Sequence, residues 1–299
     1  MNQTPILAKF DLGGATITIL NGGALKLDGG AMFGIIPRPL WSKLSPPDEQ
    51  HRIQLACNCV LVEWPGSDRR VIIETGHGDK FEEKESRIYG IDIAHWLGAT
   101  LAAAQIAPES ITDVVMSHLH FDHAGGLTRR RDGQLGLTFP KAQVHAQRRE
   151  FDDARRNFGI MTMTYREDNY TPIDAANAWR LVDGEVEIIP APRPGLVSIH
   201  ARLTPGHTLG HHSLILRGGS RTAVFVGDVM PTHCHIGAPY NMAYDLLPLE
   251  NRESKRRLLT DAAEQRWLLL LDHDPETPAL EISREKGWFV ATPASGAAR

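Results

Sequence analysis

Cysteine is scarce, with three residues in a chain of 299, and that scarcity excludes a disulfide framework as the basis of the fold. Cys57 and Cys59 stand one residue apart in an apolar run and are expected to be buried, inert thiols, because a cysteine metal site normally uses a wider spacing. No apolar run approaches the about 20 residues that would span a bilayer. A basic excess is missing as well. Lysine and arginine number 32 against 36 aspartates and glutamates, for a net charge of -4, which leaves no electrostatic footprint for nucleic acid or anionic lipid. Arg129-Arg130-Arg131-Asp132-Gly133 reads as a solvated hairpin tip. The opening Met1-Asn2-Gln3-Thr4-Pro5 lacks the basic start and apolar core of a signal peptide, so a cytoplasmic, reduced setting is expected. A hydrophobic content of 42% and a charged content of 23% are ordinary for a globular protein. The length allows one domain over residues 1–299 with a sizeable core.

What the sequence does have is a concentration of metal-competent side chains. Ser117-His118-Leu119-His120-Phe121-Asp122-His123-Ala124-Gly125-Gly126 places four of them within six positions, in an H-x-H-x-D-H pattern. It follows Val114-Val115-Met116, which reads as a short buried strand. In an extended strand end, side-chain direction repeats every two residues, so His118 and His120 point the same way. Asp122 and His123, where the chain turns, can face a second point. Imidazole and carboxylate suit zinc and similar divalent ions, so this stretch offers half-sites for two metals.

The partners of these half-sites lie further along. In Thr204-Pro205-Gly206-His207-Thr208-Leu209-Gly210-His211-His212, proline and glycine fix a bend that can present His207 inward as a third ligand, with His211 and His212 as competitors. Asp228 ends the strand-like run 222–226 and is the natural ligand to bridge two cations. His273 ends the apolar run 268–271 and completes the second metal. Elsewhere, residues 15–20 read as a strand closed by an Asn21-Gly22-Gly23 turn, and 59–63 and 71–74 as a hairpin. Ile93, Trp96, Leu97 and Leu101 predict a helix over 91–104. Alternation of strand and helix argues for an α/β fold. Residues 29–44 join Met32, Phe33, Ile35, Leu40 and Trp41 to two prolines without a period. They read as a packed cover, an apolar flap over a pocket or a homodimer contact. Within a stretch at about 127–183, residues 156–183 (Met161, Met163, Tyr165, Tyr170, Trp179) have weak periodicity and read as a lid or insertion.

The set His118, His120, Asp122, His123, His207, Asp228 and His273 resembles, in type, order and spacing, the ligands of the metallo-β-lactamase superfamily. That resemblance implies a four-layer αβ/βα sandwich. It also implies a dimetal centre with His118, His120 and His207 on one ion, Asp122, His123 and His273 on the other, and Asp228 shared. Gly29-Gly30-Ala31-Met32-Phe33-Gly34, Pro37-Arg38-Pro39-Leu40-Trp41 and Gly227-Asp228-Val229-Met230-Pro231-Thr232-His233 are similar to the N-acyl-homoserine lactonase branch, which opens the lactone ring of bacterial quorum signals. The implied chemistry is attack of a metal-activated hydroxide on a small ester or lactone, with two divalent ions, zinc by default and iron, cobalt or manganese as alternatives. Asp122 would hold the nucleophile and pass its proton to the leaving oxygen. Position 231 is proline where those lactonases can carry a carbonyl-polarising tyrosine, so that role falls to Tyr240, His233 or His235. Glu74 stands where the family has the Asp of an Asp-x-Gly loop. Met32, Phe33 and Trp41, with Met242 and Tyr244, would suit an acyl chain. The alternatives on one and the same dimetal site are a phosphotriesterase or phosphodiesterase, a thioesterase, and a non-catalytic metal-binding regulator.

Overall fold

The computed structural model describes residues 4–157 and 164–296. In the first half, apolar and β-branched runs pair as an antiparallel meander of β1 (Ile6–Asp11), β2 (Thr16–Asp28), β3 (Arg52–Glu63) and β4 (Arg70–Ile73). Helices α1 (Gly29–Phe33) and α2 (Arg38–Leu44) lie between β2 and β3, and α3 (Glu83–Tyr89) and α4 (Leu97–Ala103) follow β4. Then come β5 (Asp113–Val115), α5 (Phe121–Ala124), the small hairpin of β6 (Thr128–Arg131) and β7 (Gln134–Leu137), β8 (Gln143–Gln147), α6 (Arg148–Arg156), α7 (Thr171–Ala175) and β9 (Trp179–Val182). Strands β4, β5, β8 and β9 run parallel and complete a seven-stranded sheet. The second half forms another seven-stranded sheet in chain order: β10 (Glu187–Ile189), β11 (Ser198–Leu203), β12 (His212–Arg217), β13 (Ala223–Phe225), β14 (Leu268–Leu270), β15 (Ala279–Glu285) and β16 (Trp288–Pro293). Helix α8 (Pro248–Gln265) connects β13 to β14.

Side-chain alternation along the strands sets the layers. Ile17, Ile19, Val60, Val62, Ile73 and Val115 of the first sheet meet Ile199, Leu214, Leu216, Phe225 and Leu268 of the second in a shared core. The alternate residues Leu61, Ile72, Val114 and Val144 face outward onto Leu97 and Leu101 of α4. On the far side Val224, Val226 and Leu269 face Leu258, Leu259 and Ala262 of α8. Two sheets are thus packed face to face between helices, which is the four-layer αβ/βα sandwich. Among the described residues no helix is long and apolar enough to cross a membrane.

Local departures from the sequence expectations have identifiable causes. Asn21-Gly22-Gly23 is a bulge inside β2, between the pairs Asn21↔Asn58 and Ala24↔Ala56. The His77 ring and the His95 carbonyl lie where a side chain at Gly23 (φ 110°) would project, so the extra residue must be glycine there. The helix expected from residue 91 starts only at Leu97. Asp92 accepts hydrogen bonds from Ala94 N (3.0 Å) and the His95 ring, a local turn that competes with helix. Residues 29–44 are not aperiodic. Asp28 caps α1 through Ala31 N (2.7 Å), and Pro39 lies in the first turn of α2, where its missing N–H is harmless. Trp41 and Phe33 point inward at 3% and 0% exposure, whereas Ile35, Leu40 and Leu44 face outward. Within the stretch at about 127–183, β8 and β9 extend the first sheet, and Tyr165 and Tyr170 are core residues. Met161 and Met163 lie outside the described residues.

Candidate metal centre

Strand pairing gathers the ligands at one edge of the sandwich. In β13 and β14 the parallel register Phe225↔Leu270 brings Asp228 and His273 out at a common strand end. The register Ile73↔Val115 sets Glu74 beside Ser117. The sheets are stitched across this edge by His212 N to Ser117 O (3.2 Å) and Ala56 N to His273 O (3.0 Å).

Three ring nitrogens meet at a first point. His118 Nε2 lies 3.1 Å from His120 Nδ1, and His207 Nε2 lies 3.0 Å from that same atom. Asp228 Oδ2 is 2.9 Å from His207 Nε2 and 3.9 Å from His118 Nε2. At a second point His123 Nε2 and His273 Nε2 are 3.1 Å apart, with Asp228 Oδ1 at 3.8 and 3.2 Å from them. Asp122 lies at 4.0 Å from His123 and 3.6 Å from His273. All of these side chains are buried. Ligands on a tetrahedral ion with bonds of about 2.0 Å are about 3.3 Å apart. Ring nitrogens and a carboxylate oxygen crowded at 2.9–3.1 Å around a common point are close to the spacing that ligands take on one cation. The donor sets suit divalent metal ions, and each oxygen of Asp228 faces one set.

A second layer of contacts fixes the rings. Ser117 Oγ is 3.0 Å from His118 Nδ1, and the His273 Nδ1–H donates to Ala56 O (2.7 Å). His207 pairs with Asp245 (3.0 Å) and His123 with Glu74 (3.1 Å). Glu74, at φ 63°, also accepts from Ser117 N (2.5 Å), so the longer side chain still serves both ends of the H-x-H-x-D-H stretch. His211 stands behind the site, its ring accepting from Asp228 N (3.0 Å), and the His212 ring donates to Met116 O (2.7 Å). Burial, reinforced by neighbouring histidines, pushes His118 and His120 well below the usual imidazole range, so both are neutral bases. Burial also opposes charge on His207, but Asp228 and Asp245 outweigh it and raise that ring to about 10. For His123, Asp122 and Glu74 likewise override burial, and the ring rises to about 9.

Like Asp245, two further carboxylates at this centre have no sequence signal. Glu150 of α6 accepts from Leu119 N, Tyr165 OH and Thr208 Oγ1. Asp272 lies 3.9 Å from His273 Nε2 and groups with His123, Asp228 and His273. Neither has a motif around it that marks the contact.

A cavity of about 270 Å³ opens onto the centre. Its floor is His120, Asp122, His207, Asp228 and His273, and its walls include Leu27, Met32, Tyr89, Phe121, Met242 and Tyr244. Phe33 and Trp41 do not reach it. They stack on each other (centroids 5.6 Å apart) one layer behind Met32. Tyr240 lies edge-on to Phe33 (6.2 Å) outside the lining, and His235 is buried with its ring donating to Met32 O (2.9 Å). The phenols on the wall are Tyr89 and Tyr244, both held above the ordinary tyrosine range by burial.

His233 is also away from the cavity, paired with Asp274 (2.5 Å). That hydrogen bond, with a weaker one to Cys234, raises the ring to about 10 from 6.5. A raised folded-state pKa means the pairing contributes fully below pH 6.5 and is lost as pH rises through about 10. The ring is 39% exposed, so solvent screening limits the contribution to about 1 kcal/mol. His233→Gln should therefore lower the unfolding free energy in urea near pH 6 and equal the wild type above about pH 10. The same deficit at both pH values would remove the ionic role.

A model of the metallo-β-lactamase superfamily matches residues 52–273. The chain belongs to the metallo-β-lactamase superfamily. This member is similar over its whole length to a probable metal-dependent hydrolase from Staphylococcus aureus, with a TM-score of 0.84, 30% identity and coverage of 97% of this chain and 100% of that one. AidC, a dizinc quorum-quenching lactonase solved with the product N-hexanoyl-L-homoserine, shares the fold at a TM-score of 0.77 and 18% identity, over 99% of this chain and 100% of that one. An N-acyl homoserine lactonase from Bacillus cereus is 30% identical over 110 residues, 36% of this chain and 34% of the relative. The match thus spans about a third of the curated relative's length.

Proposed function

We propose that the protein is a dinuclear metal-dependent hydrolase that opens the lactone ring of N-acyl-homoserine lactones. The cavity carries this reading: apolar walls from Leu27, Met32, Phe121 and Met242 end on a polar floor that includes Asp122 and Asp228. An acyl chain needs such walls and a scissile ester needs such a floor. The lactonase relatives support the choice of a lactone over other esters.

In this reading His118, His120 and His207 hold one cation, Asp122, His123 and His273 the other, and Asp228 both, with zinc the default for these donors. Such a pair of cations lowers the pKa of water from about 15.7 to about 7 and polarises a carbonyl. The remaining work falls to the chain. Asp122, on the cavity floor, takes the proton of the attacking water and returns it to the ring oxygen as the C–O bond breaks. Tyr89 and Tyr244 take the carbonyl contact that the sequence suggests for Tyr240, His233 or His235.

The test is proton release on adding short- and long-chain acyl-homoserine lactones to the metal-loaded protein, with His120→Ala as control. Acid production by the wild type alone supports the reading. Silence on every lactone with metal bound sinks it and moves the substrate to phosphoesters or thioesters. Met242→Ala should raise KM for a decanoyl lactone about tenfold while moving the butanoyl lactone by less than about threefold. An equal change for both would remove Met242 from the chain-binding wall.

A further inference from the structure

The second cluster contains one carboxylate more than a seven-ligand centre needs. Asp272 is 2% exposed, and neither of its oxygens has a hydrogen-bond partner among the described residues. A buried carboxylate left without donors is strongly unfavourable, so the group must be neutral or face a cation. Its direction is fixed by the backbone around it. Asn58 N donates to Asp272 O (2.7 Å), while Asn58 Nδ2 donates to Leu271 O and Asp274 O (2.8 Å each). Held this way, Asp272 Oδ2 lies 3.9 Å from His273 Nε2, and a carboxylate oxygen falls within 4.8 Å of the ligand atoms of His123, Asp228 and His273.

Its side of the cluster matters as much as its distance. Asp122 and Asp228 belong to the cavity floor, and Asp272 does not. Asp272 borders an interior crevice with Cys57, Glu74 and Gly76, which Asp122, His123 and His273 also line and which has no room for a water molecule. Hydration cannot meet its needs there. Among the described residues no lysine or arginine forms an ion pair with it.

We propose that Asp272 is a protein ligand of the second metal position, approaching from the interior face. The inference rests on the dimetal reading above. It makes the two positions chemically unequal. The first has three imidazoles and one shared carboxylate, whereas the second has two imidazoles and three carboxylates, Asp122, Asp228 and Asp272. An oxygen-rich set of that size accommodates harder ions and higher coordination numbers, so manganese or ferrous iron competes better with zinc at the second position than at the first.

The experiment compares wild type and Asp272→Asn, each loaded with manganese and separately with zinc, then equilibrated with graded chelator. Metal per chain is read by mass spectrometry, with thermal unfolding in parallel. Asparagine keeps the shape and can donate to Asp228 as a protonated Asp272 would. If Asp272 is a ligand, the variant should release its second metal at about tenfold lower chelator or less, manganese more readily than zinc, and keep the first. Identical release curves would overturn the assignment in favour of a neutral Asp272. Simultaneous loss of both metals with a matching fall in unfolding temperature would overturn it in favour of a purely structural role. A wild type that never takes up a second metal would overturn it together with the dinuclear reading, whereas two metals held equally by both proteins would leave that reading standing.

Discussion

Asp228→Ala should lower kcat/KM for a lactone substrate by about 10³-fold and take bound metal from about two ions per chain to fewer than one. The size follows from position. Among the described residues Asp228 is the one side chain in both clusters, with Oδ2 at 2.9 Å from His207 and Oδ1 at 3.2 Å from His273. Its backbone N–H donates to His211, so the carboxylate is aimed before any ion arrives. Removing it takes away the one anion that faces both clusters, so the mutual repulsion of two cations at neighbouring positions opposes uptake of the second. Initial rates of proton release, together with metal content by mass spectrometry, check the expectation. Activity within tenfold of the wild type would show that Asp228 is not shared.

The second large effect is expected from a residue that touches neither cavity nor cation. Glu150 is fully buried, and its carboxylate accepts from Leu119 N (3.0 Å), Tyr165 OH (3.0 Å) and Thr208 Oγ1 (2.6 Å). Leu119 lies between His118 and His120, Thr208 follows His207, and the Tyr165 ring lies 4.9 Å from that of His120. One carboxylate therefore spaces all three imidazoles of the first cluster. Its neighbourhood allows no slack, because a side chain at Gly210 would collide with the Glu150 backbone. Glu150→Ala strands three buried donors and opens a void, at about 3–5 kcal/mol of stability. It should also weaken metal binding by about 10–100-fold, as loss of ligand support does elsewhere. Glu150→Gln keeps the volume but presents an amide N–H₂ to a donor, and should fall between. Denaturant unfolding and metal titration separate the outcomes. A stability loss with unchanged metal affinity would make Glu150 structural only.

The histidines that the structure brings together around Asp228, and Asp228 itself, were legible because metal chemistry restricts residue type and local geometry together. His118 and His120 alternate at a strand end, and glycine and proline mark the bend at His207. Apolar runs end at Asp228 and at His273. The supporting carboxylates were not legible. Glu150 reaches Leu119, between two of the histidines, and Asp245 reaches His207, across 31 and 38 residues of sequence, and nothing around either encodes the contact. The cavity walls were half legible. Met32, Met242 and Tyr244 line it, but Trp41 and Phe33 face the other way because two short helices, not a loose flap, orient residues 29–44. Tyr89 has no sequence signal, because α3 reaches the cavity only through folding.

By itself, then, the sequence determined which side chains can bind metal, the alternating strands that build two sheets, and the breaks between them. Those properties are local, set by side-chain chemistry and by periods of two to four residues. Tertiary structure alone decided that Asp272 sits behind the second cluster, with no hydrogen-bond partner for its carboxylate among the described residues, and which aromatic residues wall the cavity. These depend on the register of β13 against β14 and on the packing of one sheet over the other, where contacts join residues a hundred or more positions apart. Local propensity carries no information about such pairs, because their energy appears only when both sheets are in place.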